Sequence, residues 1–145
     1  MNEEFAVLAS KSVKYLGDAI IVARMAHWNV RGNNYYEAHL LFERIYNDLS
    51  ELMDPHIEQL RAVGFNPDFN LFQGPGISME SYDSKSLVEL VLDYVMAANG
   101  AIGMFFRFAN EHDHDPRLIG ISDHLGGVAS ALLVDQYLLQ SWLGY

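Results

Sequence analysis

The sequence predicts an all-α protein, a bundle of four long helices. Apolar residues recur at three- and four-residue spacing over long stretches, and no stretch alternates apolar and polar residues as a half-buried strand does. The breaks between these stretches contain Gly, Asn or Pro. With 145 residues, 50% of them hydrophobic, the chain is predicted to form one domain over 1–145 with its own core.

The first two helices are predicted to form an antiparallel pair. The first covers about residues 2–30, and His27 near its end falls on the inward, apolar face. Gly32, followed by two asparagines, indicates a helix end and a tight turn, after which the second helix covers 34–64. This turn is expected to bring His27 and His39 close together.

A long connection separates the second helix from the third. Residues 65–84 are too many for a structureless loop in a compact domain unless they cross the length of the bundle. Ser86–Glu89 is predicted to be a capping box that opens an apolar third helix, and Asp115 with Pro116 opens a fourth helix that runs to Leu143. Short, long and short connections predict an up-down-down-up bundle, which is the ferritin-like arrangement.

Five side chains at helical spacing are candidate metal ligands. They supply two imidazoles and three carboxylates in a chain that has no cysteine. This set suits Fe, Mn or Zn, and it argues against a structural zinc finger or an iron–sulfur cluster. The residues are His27, His39, Glu43, Asp54 and Glu58.

The spacing of these ligands predicts a dimer. At about 100° per residue, the four candidates on the second helix share one stripe that borders the core. His39 and Asp54 are nevertheless roughly 22 Å apart along that helix, too far for one metal to bridge. A second copy of the helix, antiparallel across a two-fold axis, would bring the two ends together. We therefore expect two equivalent metal sites per dimer.

The chain resembles the Dps family of mini-ferritins (DNA-binding proteins from starved cells). The matching residues are the run AHWNVRG over 26–32, the four ligands of the second helix, and Gly64; beyond Gly64 the resemblance is architectural. The resemblance implies a cytoplasmic hollow dodecamer that oxidises Fe(II), usually with hydrogen peroxide and less often with dioxygen, protects against oxidative stress, and stores Fe(III) as mineral.

The resemblance also implies the roles of the site residues. His27, His39 and Glu43 would come from one subunit and Asp54 and Glu58 from its partner, holding two iron ions, with zinc able to replace them. Trp28 would lie beside the metals and take up stray oxidising equivalents.

Two positions depart from the family pattern. Glu43 stands where the family has Asp, which lengthens the ligand by one methylene. Pro55 predicts a kink in the second helix, or a restart of the helix with Asp54 as N-cap and its carboxylate bound to backbone N–H groups. The alternative function is therefore a ferritin-like metal-binding or structural cage without ferroxidase turnover.

Charge and composition restrict which partners the chain can bind and where it is expected to be found. The net charge is −10, with 9 basic residues scattered among 19 acidic ones, so DNA binding is not expected, and the family's basic N-terminal tail is absent. The acidic N-terminus, the lack of cysteine and the lack of a membrane-length apolar run favour a soluble cytosolic protein. The acidic residues Glu111, Asp113 and Asp115 form either an ion-entry port or a polar loop, and Asp123–His124 is only a weak candidate for a secondary metal site.

Overall fold

Four helices account for most of the chain. The computed structural model describes residues 2–145, so Met1, the first residue of the predicted domain, lies outside it. No strand occurs in this range, and the connection between α2 and α3 contains a short 3₁₀ helix, Phe69–Phe72. The all-α prediction is therefore confirmed. The helices are α1 (Glu3–Asn29), α2 (Tyr35–Ala62), α3 (Ser84–Glu111) and α4 (Pro116–Leu143).

The helices form a closed bundle with the predicted up-down-down-up order. α1 packs against α2 and α3, and α4 packs against the same two helices from the opposite side. The backbone N–H of Arg31, between α1 and α2, donates to the carbonyl oxygen of Tyr82 at 2.8 Å. α2 and α3 therefore begin at the same end of the bundle, which requires the 63–83 connection to travel its full length.

The core is built from the inward stripes of all four helices. Phe5 and Phe105 pack edge to face at 5.2 Å between α1 and α3. The stripe of α4 alternates steps of three and four residues, as expected for a bundle helix. Its buried members are Leu118, Ile121, Leu125, Val128, Leu132, Asp135 and Leu139.

The helix ends test the predicted caps. Asp115 caps α4 by accepting from the N–H of Arg117, with Pro116 as the first helical residue, as predicted. The predicted capping box at Ser86–Glu89 is wrong, because the N-cap of α3 is Asp83, three residues before Ser86. The Asp83 carboxylate accepts from both the backbone N–H and the hydroxyl of Ser86, and this carboxylate outcompetes a serine hydroxyl as the acceptor.

Two helices are apolar over a length that could span a membrane, which was not predicted from the sequence. α3 and α4 are each long and apolar enough to cross a membrane, judged by length and composition alone, whereas no such run was expected. In this fold both helices pack in the bundle, and each buries part of its apolar surface there. Core helices of bundles commonly share these properties.

Candidate metal centre

His27 and His39 form a reciprocal pair at the α1–α2 corner. The turn between the helices uses two residues with positive φ, Gly32 at 87° and Asn34 at 60°, which suit Gly and Asn. His27 Nδ1 lies 2.9 Å from the carbonyl oxygen of His39, and His39 Nδ1 lies 2.9 Å from that of His27. The two rings stack with centroids 3.9 Å apart. The predicted proximity of the two histidines is confirmed.

These hydrogen bonds determine which nitrogen of each ring can bind a metal. A carbonyl oxygen only accepts, so Nδ1 of each histidine must carry the proton and donate it. In the neutral ring, Nε2 then keeps a lone pair and is the remaining ligand atom. A fixed tautomer held through the other ring nitrogen is the usual arrangement of metal-binding histidines.

The three carboxylates are distributed along α2. Glu43 lies one helical turn after His39 and is half-buried, whereas Asp54 and Glu58 are exposed farther along the helix. Within residues 2–145, no three His, Asp or Glu side chains converge to hold a metal ion. One chain therefore supplies an imidazole pair near the start of α2, Glu43 one helical turn farther along, and two exposed carboxylates toward the other end.

Pro55 does not interrupt α2. The helix is continuous from Tyr35 to Ala62, so the alternative of a second helix starting at Asp54 is wrong. The side chain of Asp54 is exposed and accepts no hydrogen bond from the part of the chain that the structure describes. A proline in a helix removes one backbone hydrogen bond without ending the helix when tertiary packing on both sides holds it. The Asp54 carboxylate is consequently open to an outside ligand.

Aromatic and cationic side chains surround the histidine pair. Tyr46 contacts the edge of His27, with centroids 5.4 Å apart, and the Arg24 guanidinium lies 4.9 Å from the Tyr46 ring and 5.8 Å from the Trp28 ring. Trp28 is 64% exposed, so it does not pack in the core of its own chain. Arg24 and Trp28 therefore lie at the surface of the chain, next to the histidine pair.

Some polar groups of the loop between α3 and α4 form hydrogen bonds with neighbouring residues in the chain. Hydrogen bonds from the Arg117 side chain and backbone lower the pKa of Asp115 to about 2. The Nδ1 of His112 donates to the carbonyl oxygen of Phe108 at 2.8 Å. Glu111 and Asp113 stay exposed, so an entry port at this loop remains a prediction that rests on them.

A second histidine pair, His56 and His124, lies inside the bundle and was not predicted from the sequence. His56 is fully buried, its Nε2 lies 2.8 Å from the Ser12 Oγ, and its Nδ1 lies 3.0 Å from Nε2 of His124. Burial, and then the charge of His124, lowers the pKa of His56 to about 4. The burial of His56 could have been predicted from a helical wheel. His56 lies about 260° around α2 from His39, next to the buried stripe.

This buried cluster does not form a nucleophilic site. The Ser12 hydroxyl donates to the Ala9 carbonyl oxygen at 2.7 Å and is fully buried, so no substrate can reach it. Since Ser12 must then accept from Nε2 of His56, the Nδ1 of His56 accepts from His124. His124 of the predicted secondary site therefore directs its Nε2 into the core, while Asp123 is exposed.

Comparisons with known proteins place this fold among the mini-ferritins. Dps from Staphylococcus aureus superposes with a TM-score of 0.80 at 20% identity, covering 98% of this chain and 97% of that one. Dps from Vibrio cholerae, a ferritin-like diiron-carboxylate protein, gives 0.82 at 20% identity over 97% and 89%. Zinc-soaked Dps from Listeria innocua gives 0.80 at 17% identity over 97% and 96%. The chain therefore has the Dps fold, as the resemblance implied.

The comparisons of sequence extend less far. No family model matches the chain. An uncharacterised protein from Haemophilus influenzae is 36% identical over 42 residues, which are 29% of this chain and 26% of that protein. The matched stretch thus spans about a quarter of that relative, and the function of this chain has to be argued from its own residues.

Proposed function

We propose that the protein is a Dps-like ferroxidase and iron-storage protein. It oxidises Fe(II) with hydrogen peroxide, or with dioxygen, at a site shared by two chains, and retains Fe(III) in a cage of subunits. The observation that carries this proposal is the His27–His39 pair, in which both Nε2 lone pairs are left for metal, with Glu43 one helical turn farther along α2. Imidazole and carboxylate are suitable ligands for Fe(II), and zinc competes for the same set.

The second half of the proposed site comes from another copy of the chain. Exposed apolar side chains surround the histidine pair on α1 and α2, and such a patch on a monomer favours a protein interface. They include Met25, Trp28, Tyr36 and Leu40. A two-fold axis that crosses α2 about half-way between His39 and Asp54 would make α2 antiparallel to its copy. It would bring the open carboxylates of Asp54 and Glu58 toward this patch and the histidines of the other chain.

Each residue then has a chemical role. His27, His39 and Glu43 bind the Fe(II) substrate from one side, and Asp54 and Glu58 bind it from the other, so that two ions lie close together. Two Fe(II) each lose one electron, and one hydrogen peroxide takes up both electrons and two protons to give two waters. Trp28 lies at the rim, where it accepts stray oxidising equivalents.

The charge of the chain supports this use. A net charge of −10 attracts Fe(II) and repels nucleic acid, so the proposed protein handles iron in the cytoplasm without binding DNA. Glu43 keeps the negative charge that the Asp of the family would supply. Its longer side chain reaches one methylene farther, which changes the separation of the two ions and preserves the ligand type.

Anaerobic titration with Fe(II), followed by hydrogen peroxide, tests the proposed reaction. About two Fe(II) should bind per site, and one peroxide should be consumed for each pair of ions oxidised. Iron oxidation is followed by absorbance, and hydroxyl radical by spin trapping, with His39→Ala as the control variant. If Fe(II) binds but peroxide oxidises it no faster than iron in buffer, the protein is a metal-binding cage without turnover.

The assembly provides a separate prediction. Light scattering at micromolar concentration should give a mass many times the monomer mass of 16.4 kDa, with a dodecamer as the expected state. The physical reason is the apolar surface around the histidine pair, together with the exposed side chains of Leu133, Val134 and Tyr137 on α4. A monomer at this concentration would contradict the shared site.

A further inference from the structure

A pair of carboxyl groups lies in the seam between α2 and α4. Asp135 occupies a position of the apolar stripe of α4 and is 0% exposed, and Asp48 faces it from α2 with its side chain 32% exposed. No N–H or O–H group among residues 2–145 donates to either carboxyl oxygen of Asp135. A buried carboxylate without a partner is strongly unfavourable, so the charge of Asp135 has to be neutralised by a proton or by a bound cation.

The charges around the pair are few. Nε of Arg44 lies 3.0 Å from Oδ2 of Asp48, and its side chain is 57% exposed. Burial, and then the neighbouring Asp48 carboxyl group, raises the pKa of Asp135 to about 8, and the charge of Arg44 opposes this rise. Asp135 therefore holds its proton more tightly than an ordinary carboxyl group does.

We propose that the Asp48–Asp135 pair is a binding site for a hard divalent cation, such as Mn(II), which takes the place of the proton on Asp135. The two side chains offer four carboxylate oxygens and no nitrogen or sulfur, the ligand chemistry that such cations prefer. The half-exposed side of Asp48 provides the entrance, where water completes the coordination and the exposed Arg44 side chain moves aside. Binding of one cation releases one proton from Asp135.

This site is separate from the proposed ferroxidase site. Asp48 lies about 140° around α2 from Glu43, on the side that packs against α4 rather than α1. Both of its carboxyl groups come from one chain, so it needs no second copy. The inference is therefore independent of the proposed function, and one can fail without the other.

Titration of metal-depleted protein with Mn(II), followed by electron paramagnetic resonance of the free ion, tests the site. Wild type should bind one more Mn(II) per chain than Asp135→Asn, and the same difference should remain when both carry His39→Ala. Binding at this site should release about one proton per ion, and its affinity should fall about tenfold per pH unit below about pH 8. Asp93→Asn, which removes an exposed carboxylate of α3, should behave as wild type.

Two variants keep the test decisive. Asn at position 135 retains the size of the side chain, and Asp48→Asn changes the half-exposed partner if Asp135→Asn does not fold. Equal Mn(II) stoichiometry and equal proton release in wild type and in the folded variants would overturn the proposal. The pair would then hold its proton only.

Discussion

Mixing His39→Ala chains with Asp54→Ala chains is expected to restore the Fe(II) oxidation that each variant alone has lost. Either substitution removes one ligand from every site of its own homodimer, and each should reduce oxidation by at least about tenfold. In a heterodimer one proposed site carries both lesions and the other carries none, because His39 and Asp54 serve that site from different chains. Mixing the two variants therefore regenerates sites that have all of the wild-type ligands.

The expected recovery is quantitative. Random pairing of equal amounts makes half of the dimers mixed, and half of the sites in those dimers are intact, so about a quarter of the wild-type rate should return. The measurement is the initial rate of Fe(II) oxidation after co-refolding, with mixed dimers verified by mass spectrometry. A mixture of His27→Ala and His39→Ala is the matched control. Its two lesions lie on the same side of the site, so every site stays damaged and nothing should recover.

Two outcomes would contradict the shared site. If the ligands acted within one chain, the His39→Ala and Asp54→Ala mixture would stay inactive although mixed dimers had formed. Recovery in the control mixture would equally show that the lesions do not meet at one site.

Acidification from pH 6.5 to pH 4 is expected to lower the free energy of unfolding by about 3 kcal/mol through His56 alone. Burial lowers the pKa of His56 from 6.5 to about 4 in the folded protein, so in this range the unfolded chain binds the proton more readily. The contribution of His56 to the free energy of unfolding is fully present above pH 6.5 and is lost as the pH falls to 4. The neutral ring is required because Nδ1 of His56 must accept from His124.

Other buried groups also change the pH dependence of the free energy of unfolding. The prediction therefore concerns the difference in this free energy between wild type and a His56 variant. The pKa of His124 is also lowered by burial and acts in the same direction. The pKa of Asp135 is raised to about 8, and this group stabilises the fold as the pH falls, which opposes both histidines. Urea unfolding of metal-free wild type and His56→Gln, at one protein concentration and several pH values, isolates the contribution of His56.

The control for this experiment is His114→Gln, which replaces an exposed histidine of the α3–α4 loop. The stability difference between wild type and His56→Gln should shrink as the pH falls from 6.5 to 4, whereas the difference for His114→Gln should stay nearly constant. A pH-independent difference for His56→Gln would show that His56 does not remain neutral in the fold.

Local patterns in the chain were sufficient to predict the bundle and half of the candidate site. Helical periodicity, the turn at Gly32 and the Asp115–Pro116 pair depend on residues within a few positions of one another, so they are readable without a structure. The antiparallel turn likewise predicts that His27 and His39 meet, because only eleven residues separate them along the chain.

Tertiary packing decided the features whose partners lie far apart in the chain. Pro55 stays within a continuous α2, and Asp83 rather than Ser86 caps α3. His56 was readable as a buried position, but its partner His124 is 68 residues away and became known only from the packing of α2 on α4. Asp135 meets Asp48 across the same seam. Propensity describes one helix at a time, whereas the environment of a buried polar group is set by the neighbouring helix, and that contact exists only once the bundle has formed.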